Sequence, residues 1–278
     1  MKFGVVTSFG SAKDYVSMAR EAEEAGWDGV FAWDDISVER GDVFDPWVVL
    51  GAMAAVTERV TLGSMVFSLP RRRPWKVARE TITLDNLSDG RLVVPVGLGG
   101  TWDGGYSRVS TEDPSRRVRA EKLDECLDIL ELAWSGETVS YQGTHYWMRD
   151  LHFDPRPVQR PRIPIWPIGA WPHPKSLRRA ARWDGVIVSD MSGAREDEAP
   201  TPAVVSEVAA WMAEHREGDG PFDIVIEGLT SGTDHAADRA MLEPLAEAGA
   251  TWFIESRWEE DQSVDTVRER IRRGPPRL

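Results

Sequence analysis

The stretch LDNLSDGRLVVPVGLGGTW, residues 84–102, sets an apolar run, Leu92 to Val96, against the glycines Gly97, Gly99 and Gly100. A dinucleotide-binding turn would place glycines at its first, third and sixth positions and run straight into a helix. Gly97 and Gly99 satisfy the first two positions, but the sixth is Trp102, and DGGYSRVSTEDPS separates the run from the next helical pattern. The segment reads instead as a buried strand, entered from a tight SDG turn, with glycines clearing space at its end. Pro95 lacks a ladder donor, so a bulge is expected there, and TWDGGY is expected to form a flexible lid.

Working outward, the same alternation repeats along the chain. FGVVTS (3–8) precedes an amphipathic helix over 14–25, closed by Gly26; DGVFAWD (28–34) precedes a helix from Pro46 to about Thr57; VTLGSMVF (60–67) precedes one from Pro74 to Leu87. After GRLVVPVGLG comes the most regular helix, 114–134, stopped by Gly136. An aromatic and proline-rich interruption, about 137–162, reads as a hairpin with an extended connector. Then IPIWPIGA, GVIVSD, FDIVIEG and TWFIESRW each pair with a helix, near 175–182, 202–215, 234–248 and 264–273. Nearly continuous apolar strands joined by crossover helices indicate a parallel sheet buried on both faces. Eight such units in 278 residues, with no linker, predict one α/β domain, a (β/α)8 TIM barrel with an insertion before strand five.

Composition bounds the partners. A net charge of -13 disfavours nucleic acid and anionic membrane surfaces. No apolar run approaches the roughly 18 residues of a membrane span, and the N-terminus lacks a signal-peptide pattern, so a cytoplasmic protein acting on a small molecule is expected. The single cysteine, Cys126, falls inside a helical pattern and reads as a packing residue. Five histidines show neither HxH nor HExxH spacing, so no metal site is expected, and the nucleophile elbow G-x-S-x-G is absent.

The order and spacing of AREAEEAGWDGVFAWDD (19–35), AAVTERVTLGSMVF (54–67), the helix–strand segment through 99, RAEKLDECLDILELAWSGETVSYQGTHY (119–146) and LHFDPRPVQRPRIPIWPIGA (151–170) resemble the bacterial luciferase-like flavin oxidoreductases. That resemblance implies the same barrel, and a cofactor in its mouth: the reduced deazaflavin coenzyme F-420 or FMN. It implies a non-proline cis peptide at Ser64–Met65 under the ring. It also implies a small-residue loop, Gly169, Ala170 and Trp171, leading to a helix whose N-terminus, with Lys175 and Ser176, receives the phosphate. Phe9, Trp33, Gly97 and Gly99 are further expected cofactor neighbours, and Trp166 is placed near the same mouth. A homodimer through helices two and three is compatible with the resemblance, although the residues themselves give no sign of it.

In the family the acid at the end of strand two is commonly followed by His beside the reactive ring. Here Asp34 matches the acid and Asp35 stands in the histidine position. Asp35 and Asp34 are the candidate catalytic groups; an Asp donates protons near neutral pH only when its surroundings raise its pKa. Against this stands pairing of one acid with Arg. Trp102, Asp103, Glu227 and Arg257 are expected at the substrate, and Arg71 to Arg73 are candidates for the deazaflavin's acidic tail, with a solvated basic face as their other reading. The function expected is reduction or oxygenation of a small organic molecule. A degenerate, non-catalytic flavin-binding barrel is the alternative, and a hydrolase using strand-end carboxylates such as Asp190 and Glu255 the distant one.

Overall fold

The computed structural model describes residues 1–38, 42–110, 112–193, 199–216, 218–258 and 262–278. In chain order its elements are β1 (Lys2–Val6), α1 (Ala12–Ala25), β2 (Gly29–Ala32), α2 (Pro46–Ala54), β3 (Thr61–Ser64), β4 (Phe67–Ser68) and, after a 3-10 turn at Leu69–Arg71, α3 (Pro74–Leu87). There follow β5 (Val94–Gly97), α4 (Gly104–Ser107), α5 (Arg116–Trp134), β6 (Thr138–Gln142), β7 (Trp147–His152), β8 (Ile165–Trp171), α6 (Pro174–Ala181), β9 (Gly185–Asp190), α7 (Pro202–His215), β10 (Asp223–Gly228), α8 (His235–Glu247), β11 (Trp252–Glu255) and α9 (Val264–Arg272). No described helix is long and apolar enough to cross a membrane.

The main sheet is parallel and runs β3-β2-β1-β11-β10-β9-β8-β5-β4, and a bridge from Leu62 to Leu92 joins β3 to β5 and closes the ring. Since β3 and β4 are two halves of one strand, this is the expected eight-unit barrel. The antiparallel hairpin β6–β7 is the insertion ahead of β8. It is fastened to α5 through Glu125, whose carboxylate accepts from the backbone N–H groups of Thr144, His145 and Tyr146.

Strand three explains Pro95. Leu62 faces Leu92 and Phe67 faces Val96, so strand three spends one residue more than β5 over this span. The bulge therefore lies on the neighbour. In a parallel strand successive N–H groups point to alternate sides: Val93 N donates to Leu62 O and Val94 N to Pro164 O. The missing donor of Pro95 thus points at the interrupted part of strand three, where no ladder bond is lost. The non-proline cis peptide is also here, but at Met65–Val66 and not at Ser64–Met65. Ser64 still pairs with Ala32, and Met65 N still donates to Ala32 O at 2.8 Å, so the ladder stays regular up to Met65 and breaks after it.

The barrel lumen is filled by aromatics. Phe31 and Trp252 meet edge to face at 6.3 Å, and Trp166 lies 5.4 Å from Trp252, all three rings buried. Trp166, expected at the mouth, belongs to this plug. Room for Phe31 comes from Gly4, Gly29 and Gly63 on three adjacent strands, where an added Cβ would lie 2.6, 2.9 and 3.0 Å from the ring. In a close-packed interior such overlap has nowhere to go. Gly4→Ala is expected to lower unfolding stability by about 1–3 kcal/mol, read from the urea midpoint. Coupled with Phe31→Leu it should cost less than the sum of the two single changes, because the smaller ring vacates the clash.

Candidate active site

The carboxyl ends of the strands surround one apolar cavity of about 920 Å³, within the size range of small-molecule and cofactor sites. Phe9, Trp33, Asp34, Asp35, Met65, Gly97, Gly99, Trp102, Ala170, Ser176 and Glu227, all expected from the sequence, line it. Ser64, Asp103, Gly169, Trp171, Lys175 and Arg257 do not, and each has a visible reason. Ser64 is fully buried. Gly169 lies where a Cβ would meet Val186 at 2.5 Å and Leu177 at 3.1 Å, so its smallness serves the packing of α6 on β8 and β9. Trp171 packs against the outer core, and Lys175 is solvated.

Arg257 is claimed by a buried knot: its Nη2 donates to Glu255 at 2.7 Å and to Thr230 O at 2.6 Å, while Arg270 Nη2 reaches the other Glu255 oxygen at 2.7 Å. Glu255 therefore fixes β11 to α9 and is not free for hydrolysis. Asp190 likewise accepts from Ser192. With Asp34 also paired, as described next, Asp34, Asp190 and Glu255 are not available as the free pair that a glycosidase requires.

Asp34 and Asp103 converge on Arg71. Arg71 Nη2 donates to Asp34 Oδ1 at 2.7 Å and Nη1 to Asp103 Oδ2 at 2.6 Å; Arg72 Nη2 also reaches Asp34 Oδ1 at 2.7 Å, and Ser68 N donates to Asp34 Oδ2 at 2.8 Å. Both Asp34 oxygens are thus occupied, and Asp34 acts as a structural anion. Arg71 and Arg72, expected to meet an acidic cofactor tail, are consumed by the same pairing.

Asp103 caps α4 and accepts from Ile36 N, Ser37 N and Gly105 N at 3.0–3.2 Å. Residues 104–106 are buried beneath the segment after β2. The TWDGGY segment is therefore a pinned helical turn, with Trp102 standing at the lip 69% exposed. Gly99 has φ +73 and faces Ser68 and Tyr106 too closely for any Cβ; Arg119 holds the carbonyls of Leu98 and Gly99.

Asp35 is the contrast. It is half-buried on the cavity wall and has no hydrogen bond among the described residues. Desolvation first, and then the charges of Asp103 and Asp34 against the opposing pull of Arg71, push its carboxyl up to about 7. Across the mouth, burial pushes Glu227 above the usual carboxylate range. An aromatic wall joins them: Trp33 meets Trp258 edge to face at 5.5 Å, and Trp33 Nε1 donates to Tyr15 Oη at 2.7 Å.

At the opposite pole, Ser176 accepts from Ala170 N at 3.0 Å and donates to His173 O at 2.9 Å in the first turn of α6. The backbone N–H groups of Lys175 and Ser176 point out of that turn without chain partners among the described residues. Arg116 and Arg179 line the cavity near this end; Arg179 is paired with Asp124, whereas Arg116 has no partner among the described residues. Trp258 and the partnering of Arg71 were not anticipated. Trp258 follows FIES by only two positions, but nothing local marks it as a cavity wall.

A parallel eight-unit barrel with one apolar cavity at the carboxyl ends of its strands, edged by a carboxyl raised to about 7 and by an aromatic wall, has the layout of a (β/α)8 enzyme. The luciferase-like monooxygenase family model matches residues 1–276, and the chain belongs to that family. Its curated relatives include an F420-dependent glucose-6-phosphate dehydrogenase of Beutenbergia cavernae, 29% identical over 93% of this chain and 83% of the relative. Another so named, from Microbacterium testaceum, is 35% identical but is covered over only 47% of its length. Among solved structures, an F420-dependent secondary alcohol dehydrogenase in complex with an F420-acetone adduct superposes with a TM-score of 0.74 at 16% identity, covering 99% of this chain and 98% of that one. The monooxygenase RslO1 of Streptomyces bottropensis gives 0.76 at 20% identity, covering 98% and 97%.

The charge of Asp103 is felt at Asp35 without a bond between them. Asp103→Asn removes that charge while leaving an oxygen for Arg71, so ionised Asp35 becomes easier to form. The Asp35 carboxyl carbon, followed by NMR, is expected to titrate below about 7; an unchanged midpoint would remove Asp103 from its causes and leave desolvation and Asp34.

Proposed function

We propose that the protein transfers a hydride between coenzyme F-420 and an alcohol or carbonyl compound, with Asp35 moving the oxygen-bound proton. One observation carries the reading: the Asp35 carboxyl, without a partner among the described residues and pushed up to about 7, on the wall of an apolar cavity at the mouth. The residues present fit a deazaflavin or a flavin. Met65, Val66, Gly97 and Gly99 offer a flat, apolar wall, and Ala170 and Ser176, with the free backbone donors of the first α6 turn, offer a place for a phosphate. The deazaflavin is favoured by the names of the curated relatives and by Arg116, the unpaired guanidinium on the phosphate side, which suits an acidic tail.

When bound, the cofactor supplies the acceptor or donor of a hydride. The chain supplies the proton path and the dry surroundings. In alcohol oxidation, ionised Asp35 takes the hydroxyl proton as the carbon-bound hydrogen leaves with its electron pair. In carbonyl reduction, protonated Asp35 delivers a proton to the oxygen as the hydride arrives at carbon. Asp34 contributes no proton, since its oxygens are held by Arg71, Arg72 and Ser68.

The sign of the pH dependence follows. Oxidation needs the ionised carboxyl and should rise as pH climbs through about 7, whereas reduction needs the protonated form and should fall across the same interval. Asp35→Asn is expected to reduce turnover by about 10²–10⁴ in both directions and to flatten both profiles, while cofactor affinity measured by fluorescence is retained. Failure of purified protein to bind either F-420 or FMN would overturn the reading.

The phosphate end has its own test. Ser176→Asp places a negative charge in the first turn of α6. It should weaken FMN binding by about tenfold or more and leave the affinity for riboflavin, which has no phosphate, unaltered. Equal weakening of both would point to a disturbed cavity instead.

A further inference from the structure

Asp35 and Glu227 both line the cavity without a cation partner among the described residues, and Glu227 has been given no work by the reaction above. We propose that Glu227 recognises the substrate, hydrogen-bonding the oxygen of an uncharged alcohol or ketone whose apolar body lies along Trp33 and Trp258, and that the mouth rejects anionic substrates such as sugar phosphates. The inference rests on the oxidoreductase reading and deepens it by naming the substrate class.

The geometry is local to β10 and the segment after β11. Glu227 pairs with Ile254 near the end of β10, which directs its side chain to the mouth, and it lines the cavity together with Trp33 and Trp258. Trp258 Nε1 approaches Glu227 Oε1 at 3.4 Å, long for an N–H···O hydrogen bond, so the carboxyl keeps capacity for a ligand. No Lys or Arg among the described residues is paired with it. Burial favours its neutral form, in which it presents one O–H donor as well as acceptor oxygens. That is the complement of a hydroxyl or carbonyl oxygen.

An anion meets different terms here. A phosphate placed beside Glu227 and Asp35 would meet no unpaired Lys or Arg among the described residues at that end, and the negative charge of ionised Asp35 would oppose it. The lining cations among the described residues, Arg116 and Arg179, belong to α5 and α6, on the side assigned to the cofactor phosphate. The two ends of the cavity are thus opposite in polarity: one receives a phosphate, and the other suits a neutral molecule. Trp33, held by Tyr15, and Trp258, set edge to face against it, give the apolar body a rigid surface.

The test uses protein loaded with F-420, with cyclohexanol and glucose 6-phosphate as probes and turnover read from the cofactor's absorbance. Cyclohexanol is expected to saturate and glucose 6-phosphate to be neither turned over nor competitive. Glu227→Ala should raise the cyclohexanol KM by about tenfold or more, with a smaller change in kcat. Glu227→Gln, which keeps a neutral donor and an acceptor, should restore KM to within about threefold of the parent. F-420 affinity, measured by fluorescence, should be the same in all three proteins. Preference for glucose 6-phosphate, no response to cyclohexanol by loaded protein, or an unchanged KM in Glu227→Ala would each overturn this inference alone. Failure of the parent protein to bind F-420 would instead overturn the oxidoreductase reading, and this inference with it.

Discussion

The guanidinium of Arg71 holds the mouth of the barrel in one arrangement. It leaves the 3-10 turn after β4 and spans two fully buried carboxylates, Asp34 from the end of β2 and Asp103 from the cap of α4. Burying three charges is costly, and their mutual attraction offsets that cost only where geometry is good and the remaining lone pairs are satisfied. Here they are: Asp103 accepts three backbone N–H groups and Asp34 a fourth, from Ser68. The knot's consequence is register. It places the segment after β2, the strand-three break and the loop after β5 against one another, and those three segments carry Asp35, Met65 and the cavity glycines.

This arrangement divides labour between adjacent acids. Asp34 and Asp35 are chemically identical and one residue apart, yet Asp34 meets two guanidiniums and a backbone donor while Asp35 meets none. The neighbour thereby becomes a source of negative potential for the free acid, and so does Asp103. Desolvation alone would raise a carboxyl, but a fixed pair of anions behind it raises it in a way that mutation can address. Which acid the arginines capture therefore decides which one stays free at the cavity.

Much of the fold is legible in the sequence because periodicity reports burial. The helices over Pro74–Leu87 and Pro202–His215 carry proline in the first turn, and their bounds are recovered at both ends. The hairpin is announced by alternation and by its prolines. What escapes is pairing between distant residues. RRRPW carries no mark that its first arginine will meet residues 34 and 103 and not a ligand, and DGGY looks open because glycine-rich text cannot reveal that Asp103 will cap it. The glycines divide the same way: Gly97 and Gly99 border the cavity, whereas Gly169 relieves helix packing, a distinction made by the neighbour's side chain and not by the glycine. Of the four tryptophans placed at the mouth, Trp33 and Trp102 line it, while Trp166 fills the lumen and Trp171 packs outward.

A carboxyl at position 35, where the family resemblance leads one to expect histidine, has a further physical consequence. A His and an Asp that both titrate near neutrality can move the same proton, but their charge states differ: the imidazole alternates between cation and neutral, the carboxyl between neutral and anion. In neither of its protonation states does Asp35 present positive charge to the cavity. Any substrate anion drawn in would have to be held by another cation at that end, and the nearest guanidiniums, Arg71 and Arg72, are already spent on Asp34 and Asp103. The carboxyl at position 35 and the raised Glu227 therefore act in the same direction, and on the proposed reading they favour neutral oxygen functions over charge at that end of the cavity. Under the proposed reading, a mouth of this polarity beside the start of α6 would orient a phosphorylated cofactor and a neutral substrate relative to each other before either is positioned in detail.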